Sequence, residues 1–170
     1  MIRLTGGSAR GRLIRVPASA RPTPSRLRVA LFDLLGPVAG RTFLDLYAGS
    51  GAVGLEAASR GAVATCVERY PQALRLIREN AQRLGLKLEV VAADAQTSLS
   101  RLAGRQFEIV FIDPPYSQDS ARAVQEVLER RLCSRVLVLQ HLAQQAPVPG
   151  AKVRRYGSNT LSILEVAEAA

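Results

Sequence analysis

Cysteine is nearly absent from this sequence: Cys66 and Cys133 are the whole complement. Two thiols so far apart give neither a disulfide framework nor metal-ligand spacing. Cys66, within 63–68 (VATCVE), reads as a small buried strand residue. His141 is the single histidine, and Lys87 and Lys152 are the only lysines. No apolar run approaches the ~18 residues that cross a bilayer. The opening MIRLTGGSARGR has no apolar signal-peptide core. These absences point to a cytoplasmic protein that uses no metal. Acid is also missing from residues 1–32, where Asp33 is the first carboxylate.

That last absence gives the net charge of +9 its meaning. Arginine outnumbers lysine by 21 to 2, so an arginine-rich composition could by itself raise the total. The distribution is more telling. Residues 1–32 hold Arg3, Arg10, Arg12, Arg15, Arg21, Arg26 and Arg28, while the rest of the chain is close to neutral. A basic segment at one end points to an anionic partner such as nucleic acid. Arg10, Arg12, Arg15, Arg21, Arg26 and Arg28 are the candidate phosphate contacts, which give affinity and register without reading sequence. Arg26 and Arg28 lie two apart on a predicted helix and cannot share a face, so at least one is expected to be structural.

What is present is one α/β pattern. With 170 residues, 48% hydrophobic and 22% charged, the chain suits one globular domain with a substantial core. Short β-prone pieces at 2–5 and 12–16 predict a small basic hairpin. Thr23 is the expected N-cap of a helix with Pro24 at its first position, and Gly36-Pro37 stops it. Strands are predicted at 42–47, 63–68, 87–92, 107–112 and 135–140, with helices near 52–60, 71–84, 95–103 and 118–131. Continuous apolar strands alternating with helices predict a doubly wound, mostly parallel sheet. Segments 152–157 and 160–167, separated by Ser158-Asn159, can pair only as an antiparallel hairpin.

Two turns carry the chemistry. The first runs from Asp45 through Ala48-Gly49-Ser50-Gly51 to Gly54, a G-x-G-x-x-G between a strand and a helix. Asp45 inside the strand would repel a dinucleotide pyrophosphate but could hold the ammonium of a methionine moiety, which favours S-adenosylmethionine over NAD. Glu68 ends the second strand and can accept ribose hydroxyls. Asp94, followed by Ala95, ends the third and could accept an adenine amino group, or serve as a helix N-cap. The second turn is Asp113-Pro114-Pro115-Tyr116, directly after the fourth strand. The amino nitrogen of a base is a weak nucleophile because its lone pair is delocalised into the ring. Asp113 and the Pro114 carbonyl can accept its two N–H groups and localise that pair. Prolines stiffen the turn and bring no competing N–H, and Tyr116 can stack on an extruded base.

On these residues the chain resembles the RsmD family of bacterial 16S ribosomal RNA guanine-N2 methyltransferases. The resemblance rests on Gly6 to Arg12, on Arg21-Pro22-Thr23-Pro24-Ser25-Arg26-Leu27-Arg28, on the cofactor turn with Leu55-Glu56-Ala57, and on Asp113-Pro114-Pro115-Tyr116. It implies a Rossmann-like class I fold with a seven-stranded sheet, and methyl transfer to N2 of a guanine in 16S rRNA. It also implies the small ribosomal subunit or an assembly intermediate as partner, a basic RNA-contacting extension over 1–20 and a methyltransferase domain over 21–168. By position, Asp45, Ala48, Gly49, Gly51, Glu68, Asp94, Ala95 and Asp113 would line the cofactor pocket, and Asp113, Pro114 and Tyr116 would hold the guanine. A monomer is expected.

Two positions depart from the family's pattern: Val29 and Gln140 stand where glutamate is usual. His141 is expected in an exposed loop. The rival readings are a DNA adenine or cytosine amino-methyltransferase, a protein amide methyltransferase and a catalytically silent RNA-binding module. The first needs a target-recognition region for which 170 residues leave little room. The amide enzymes more often start the turn with Asn, and the acid-free arginine segment suits RNA better than a protein surface. The intact Asp113 and cofactor acids argue against a silent module.

Overall fold

Residues 1–115 and 118–167 are described by a computed structural model. β1 (Ile2–Arg3) and β2 (Leu13–Ile14) form the expected antiparallel hairpin, with two residues per strand. α1 (Ser25–Leu35) begins one residue later than the sequence predicts. Pro24 is its N-cap and Thr23 makes no side-chain cap; the Thr23 carbonyl instead accepts from the Arg28 guanidinium at 2.7 Å.

The main body then alternates as the apolar spacing requires: β3 (Thr42–Asp45), α2 (Ala52–Ser59), β4 (Val63–Glu68), α3 (Pro71–Leu84), β5 (Leu88–Ala92), α4 (Ala95–Arg101), β6 (Phe107–Ile112), α5 (Ser120–Glu129) and β7 (Cys133–Leu142). β8 (Lys152–Tyr156) and β9 (Asn159–Glu165) complete the chain. The seven strands stand in the order β5-β4-β3-β6-β7-β9-β8. β3 to β7 pair in parallel, and β9 inserts antiparallel between β7 and β8. This is the expected mostly parallel sheet with its antiparallel terminal hairpin, the Rossmann-like class I methyltransferase architecture.

Strand alternation splits the core in two. Phe43, Phe111 and Val138 pack with Leu27, Leu31 and Phe32 of α1 on one face. Leu44, Val110, Ile112 and Leu139 pack with Leu99 of α4 and Val127 of α5 on the other. Burying each such side chain contributes about 1.5–3 kcal/mol. Close approach of α2 to the sheet depends on Gly54, where a Cβ would lie 2.2 Å from Cys66 Sγ.

The run β3-β6 is the switch point, where strand order reverses and open α/β sheets bind ligands. The loop after β3 and the loop after β6 therefore emerge side by side. β7 runs two residues past its expected end, so His141 is not in an exposed loop. It is 4% exposed inside the strand; Nδ1 donates to the Leu142 carbonyl at 2.9 Å and Nε2 lies 2.7 Å from Ser162 Oγ. Val29 sits on the solvent side of α1, 39% exposed.

Candidate active site

A cavity of about 960 Å³ opens at the carboxyl ends of β3, β4, β5 and β6. Of the residues expected at the cofactor site, Asp45, Ala48, Gly49, Glu68, Asp94, Ala95 and Asp113 line it; Gly51 does not, and instead N-caps α2 at φ 80°. The Ala48 N–H donates to the Val67 carbonyl at 2.9 Å, and the Gly51 N–H to the Ala48 carbonyl at 2.8 Å. The turn is thus held by its own backbone.

The acids differ sharply in surroundings. Asp45 is 1% exposed; Oδ2 accepts from the Gly54 N–H at 3.0 Å, while Oδ1 is buried without a partner. Burial, with Asp113 and Glu68 nearby, raises its pKa to about 8. Glu68 accepts from the N–H groups of Gly49 (2.6 Å), Arg69 (2.9 Å) and Tyr70 (3.1 Å). A carboxylate offers about four acceptor sites, so by this count one remains for ribose. Asp94 caps α4, accepting from Thr97 N at 2.8 Å and Thr97 Oγ1 at 3.0 Å. Those bonds hold its pKa below the usual value, and they leave about two acceptor sites open to an adenine amino group. The helix cap and the cofactor role are compatible.

These surroundings fit the methyl donor. An unpaired, buried carboxylate oxygen needs a cation or a donor, which the methionine ammonium supplies. A Cβ built on Gly49 meets nothing within 4 Å, so the turn leaves room for a ligand. Asp45 has a stability consequence too. Its folded pKa lies above its unfolded value near 4, so its contribution to stability is full below pH 4 and is lost as pH rises through about 8. Asp45→Asn is expected to melt higher than the parent above pH 8 in the absence of ligand, yet to bind the donor roughly 100-fold more weakly. Parent affinity should rise with pH up to about 8, because the carboxyl must ionise to meet the ammonium. Calorimetry in two buffers, which reads proton release, checks both statements.

After β6, Asp113 is half-buried, Pro114 is buried and the Pro115 carbonyl accepts from the Gln118 N–H at 2.9 Å. Burial raises the Asp113 pKa to about 7. Tyr116 lies outside the described residues.

Of the candidate phosphate contacts, Arg10, Arg12, Arg15, Arg21 and Arg26 are exposed. None of the five forms an ion pair among the described residues. Arg21 lines the mouth of the cavity, as do Pro17 and Thr23 from the same loop. Arg28 is a correction. It is 0% exposed and has no surface for a phosphate. Its Nε lies 3.4 Å from Glu56 Oε1, and its terminal nitrogens donate to the carbonyls of Thr23 and Arg3. Arg26 and Arg28 do point to different faces, with Arg28 the structural one.

Sequence reasoning missed the partner, Glu56. It is fully buried in α2 and accepts from Thr5 N, Thr5 Oγ1 and Gly6 N at 2.9, 2.7 and 2.9 Å, and from Arg60 Nε at 3.3 Å. Ser59 and Asn80 add bonds to Ala9 and Arg15. The hairpin is thereby docked on α2 and α3, with Leu4 and Ile14 packed against Leu55 and Ala81. A glutamate in the otherwise apolar 52–58 stretch was the available signal.

The model of the family described as Conserved hypothetical protein 95 matches residues 2–164. Ribosomal RNA small subunit methyltransferase D of Escherichia coli (strain K12) is 38% identical over 133 residues, 75% of this chain and 67% of that protein. A solved hypothetical protein of Thermus thermophilus superposes with a TM-score of 0.91 at 46% identity, covering 98% of this chain and 100% of its own. The 16S rRNA N2 methyltransferase RsmC of T. thermophilus, solved with AdoMet and guanosine, shares the fold: TM-score 0.73, 24% identity, 87% of this chain and 44% of that one. The family match spans both the docked hairpin and the acid-lined cavity: the chain belongs to the RsmD family of S-adenosylmethionine-dependent methyltransferases.

Proposed function

We propose that the chain transfers a methyl group from S-adenosylmethionine to the exocyclic N2 of a guanine in 16S rRNA of the small ribosomal subunit. The observation that carries this is the juxtaposition across the switch point. Asp113-Pro114 follows β6 directly beside β3, whose Asp45 has an unpaired oxygen in the donor cavity. The name of the relative at 38% identity, a ribosomal RNA small subunit methyltransferase, supports an rRNA substrate.

The donor supplies an electrophilic methyl on a sulfonium. Asp113 accepts one N–H of the base amine and the Pro114 carbonyl accepts the other, which concentrates electron density on nitrogen. Holding that nitrogen in line with the methyl supplies much of the rate. Full deprotonation before attack is unnecessary. Asp113, with a pKa near 7, takes the proton released once nitrogen has gained its fourth bond, and passes it to water. Tyr116 stacks on the extruded base. With this substrate the protein works in the cytoplasm, as a monomer acting on the subunit or an assembly intermediate.

The direct test is incubation with labelled donor and small subunits lacking their methylations, beside naked 16S rRNA, followed by mapping of the label. Label on N2 of one guanine is expected. Label on a ribosomal protein, on DNA added in competition, or nowhere would overturn the assignment.

The exposed arginines are the phosphate contacts of this reading: Arg10, Arg12 and Arg15 within an extension over 1–20, and Arg21 and Arg26 at the start of the domain over 21–168. Arg10→Ala with Arg12→Ala is expected to weaken RNA binding and to reduce the salt slope by about 0.7–0.9 per lost contact. Donor affinity should not change. An unchanged slope in filter-binding titrations would remove these two residues from the interface.

A further inference from the structure

We propose that Gln140 reads the target base: its carboxamide oxygen accepts from guanine N1–H and its amide nitrogen donates to guanine O6, beside the amine held at Asp113. This rests on the guanine-N2 reading and adds to it the residue that identifies the base.

Register places the side chain there. Ile112 pairs with Leu139 across β6 and β7, so Asp113 and Gln140 are the next positions along and lie side by side. Alternation fixes the face. Ile112 and Leu139 belong to the core under α4 and α5, whereas Phe111, Val138 and Phe43 belong to the core under α1. Asp113, Gln140 and Asp45 continue those last three rows, so all three leave the same face of the sheet.

The second observation is chemical. Among the described residues, two buried side-chain oxygen atoms have no hydrogen-bond partner: Asp45 Oδ1 and Gln140 Oε1. Buried acceptors are normally satisfied, and leaving one unpaired is costly. These two stand on the strands either side of β6. Asp45 faces the donor's ammonium, so the other is free to serve the acceptor.

The layout of the reaction says which part of the acceptor. The donor lies over β3, β4 and β5, where Asp45, Glu68 and Asp94 line the cavity. The base nitrogen must point toward it, so the ring lies on the opposite side of Asp113, over β7. In guanine, N1–H adjoins the carbon bearing N2, and the carbon bearing O6 adjoins N1. A carboxamide matches that donor–acceptor pair with its own oxygen and N–H. Gln140 does not itself line the cavity, which reaches Asp113 and Pro114, so the entering base must open the last step from Asp113 to the buried Gln140 oxygen.

The test compares small subunits reconstituted with 16S rRNA carrying either guanine or 2-aminopurine at the labelled nucleotide. 2-Aminopurine keeps the N2 amine, but its N1 is an acceptor and it has no O6. The parent is expected to prefer guanine by about 100-fold or more in kcat/KM, since a site built to bond a polar edge rejects an analogue lacking it. Gln140→Leu should shrink that preference to below about tenfold by losing guanine activity, with donor Kd and Tm unchanged. Gln140→Glu, which keeps the acceptor for N1–H and loses the donor to O6, should fall between them and carries the comparison if the leucine variant does not fold. A parent-like preference in the folded variants overturns the role of Gln140. Absence of guanine labelling by the parent instead defeats the underlying function, so the two failures are distinct.

Discussion

Asp113→Ala is expected to lower methyl transfer by about 10³-fold or more while donor affinity stays within about tenfold. The asymmetry follows from the position of the side chain. On the proposed reading the donor would be held from β3, β4 and β5, by Asp45, Glu68 and Asp94, all of which line the cavity, and Asp113 would border it only at the reacting end. What the substitution removes is an acceptor for the amine, needed most as nitrogen develops positive charge. The pH profile adds a second reading of the same atom. Only the ionised carboxylate accepts both the hydrogen bond and the proton, and burial sets its pKa near 7. At saturating donor, where the Asp45 ionisation is already satisfied, kcat/KM for RNA should therefore climb with pH and level off above about 7, and the residual activity of Asp113→Asn should lose that step. Single-turnover transfer from labelled donor, with donor Kd measured separately, checks the prediction. Parental activity in the alanine variant would reject the mechanism.

Glu56→Ala should be the most damaging substitution for stability. Removing one partner of a buried ion pair costs about 3–5 kcal/mol, because the other charge stays buried without compensation. Here the loss also strands the N–H groups of Thr5 and Gly6. In a domain of this size each kcal/mol shifts Tm by roughly 2–4 °C, so a drop of about 10 °C is expected. Desolvation lowers the Arg28 pKa against the opposing pull of Glu56. A double-mutant cycle with Arg28→Met separates the pair from its surroundings. The two single losses should sum to clearly more than the loss in the double variant, because the double variant leaves neither member of the fully buried pair without the other, and Arg60 can still reach water. The same cycle bears on function, since Arg28 ties the Thr23 carbonyl at the cavity wall to the hairpin backbone at Arg3. Simple additivity would mean that the two residues act independently.

Local patterns determined much of this protein. Apolar strands alternating with helices, the glycine turn and the stiff Asp-Pro-Pro bend were readable because each depends on neighbours in the chain: strand period, turn geometry, missing N–H groups. The terminal hairpin followed from a two-residue separation that permits nothing else. Only the tertiary structure decided the fate of the charges. Arg28 sits in the same basic run as Arg26, yet one is sealed against Glu56 and the other is in water, because burial is set by elements that meet from distant parts of the chain. His141 reads as a loop residue in sequence, but β9 inserts beside β7, lengthening the strand and supplying Ser162. Gln140 likewise gains its meaning from register with Asp113, a relation between two strands that neither sequence segment contains.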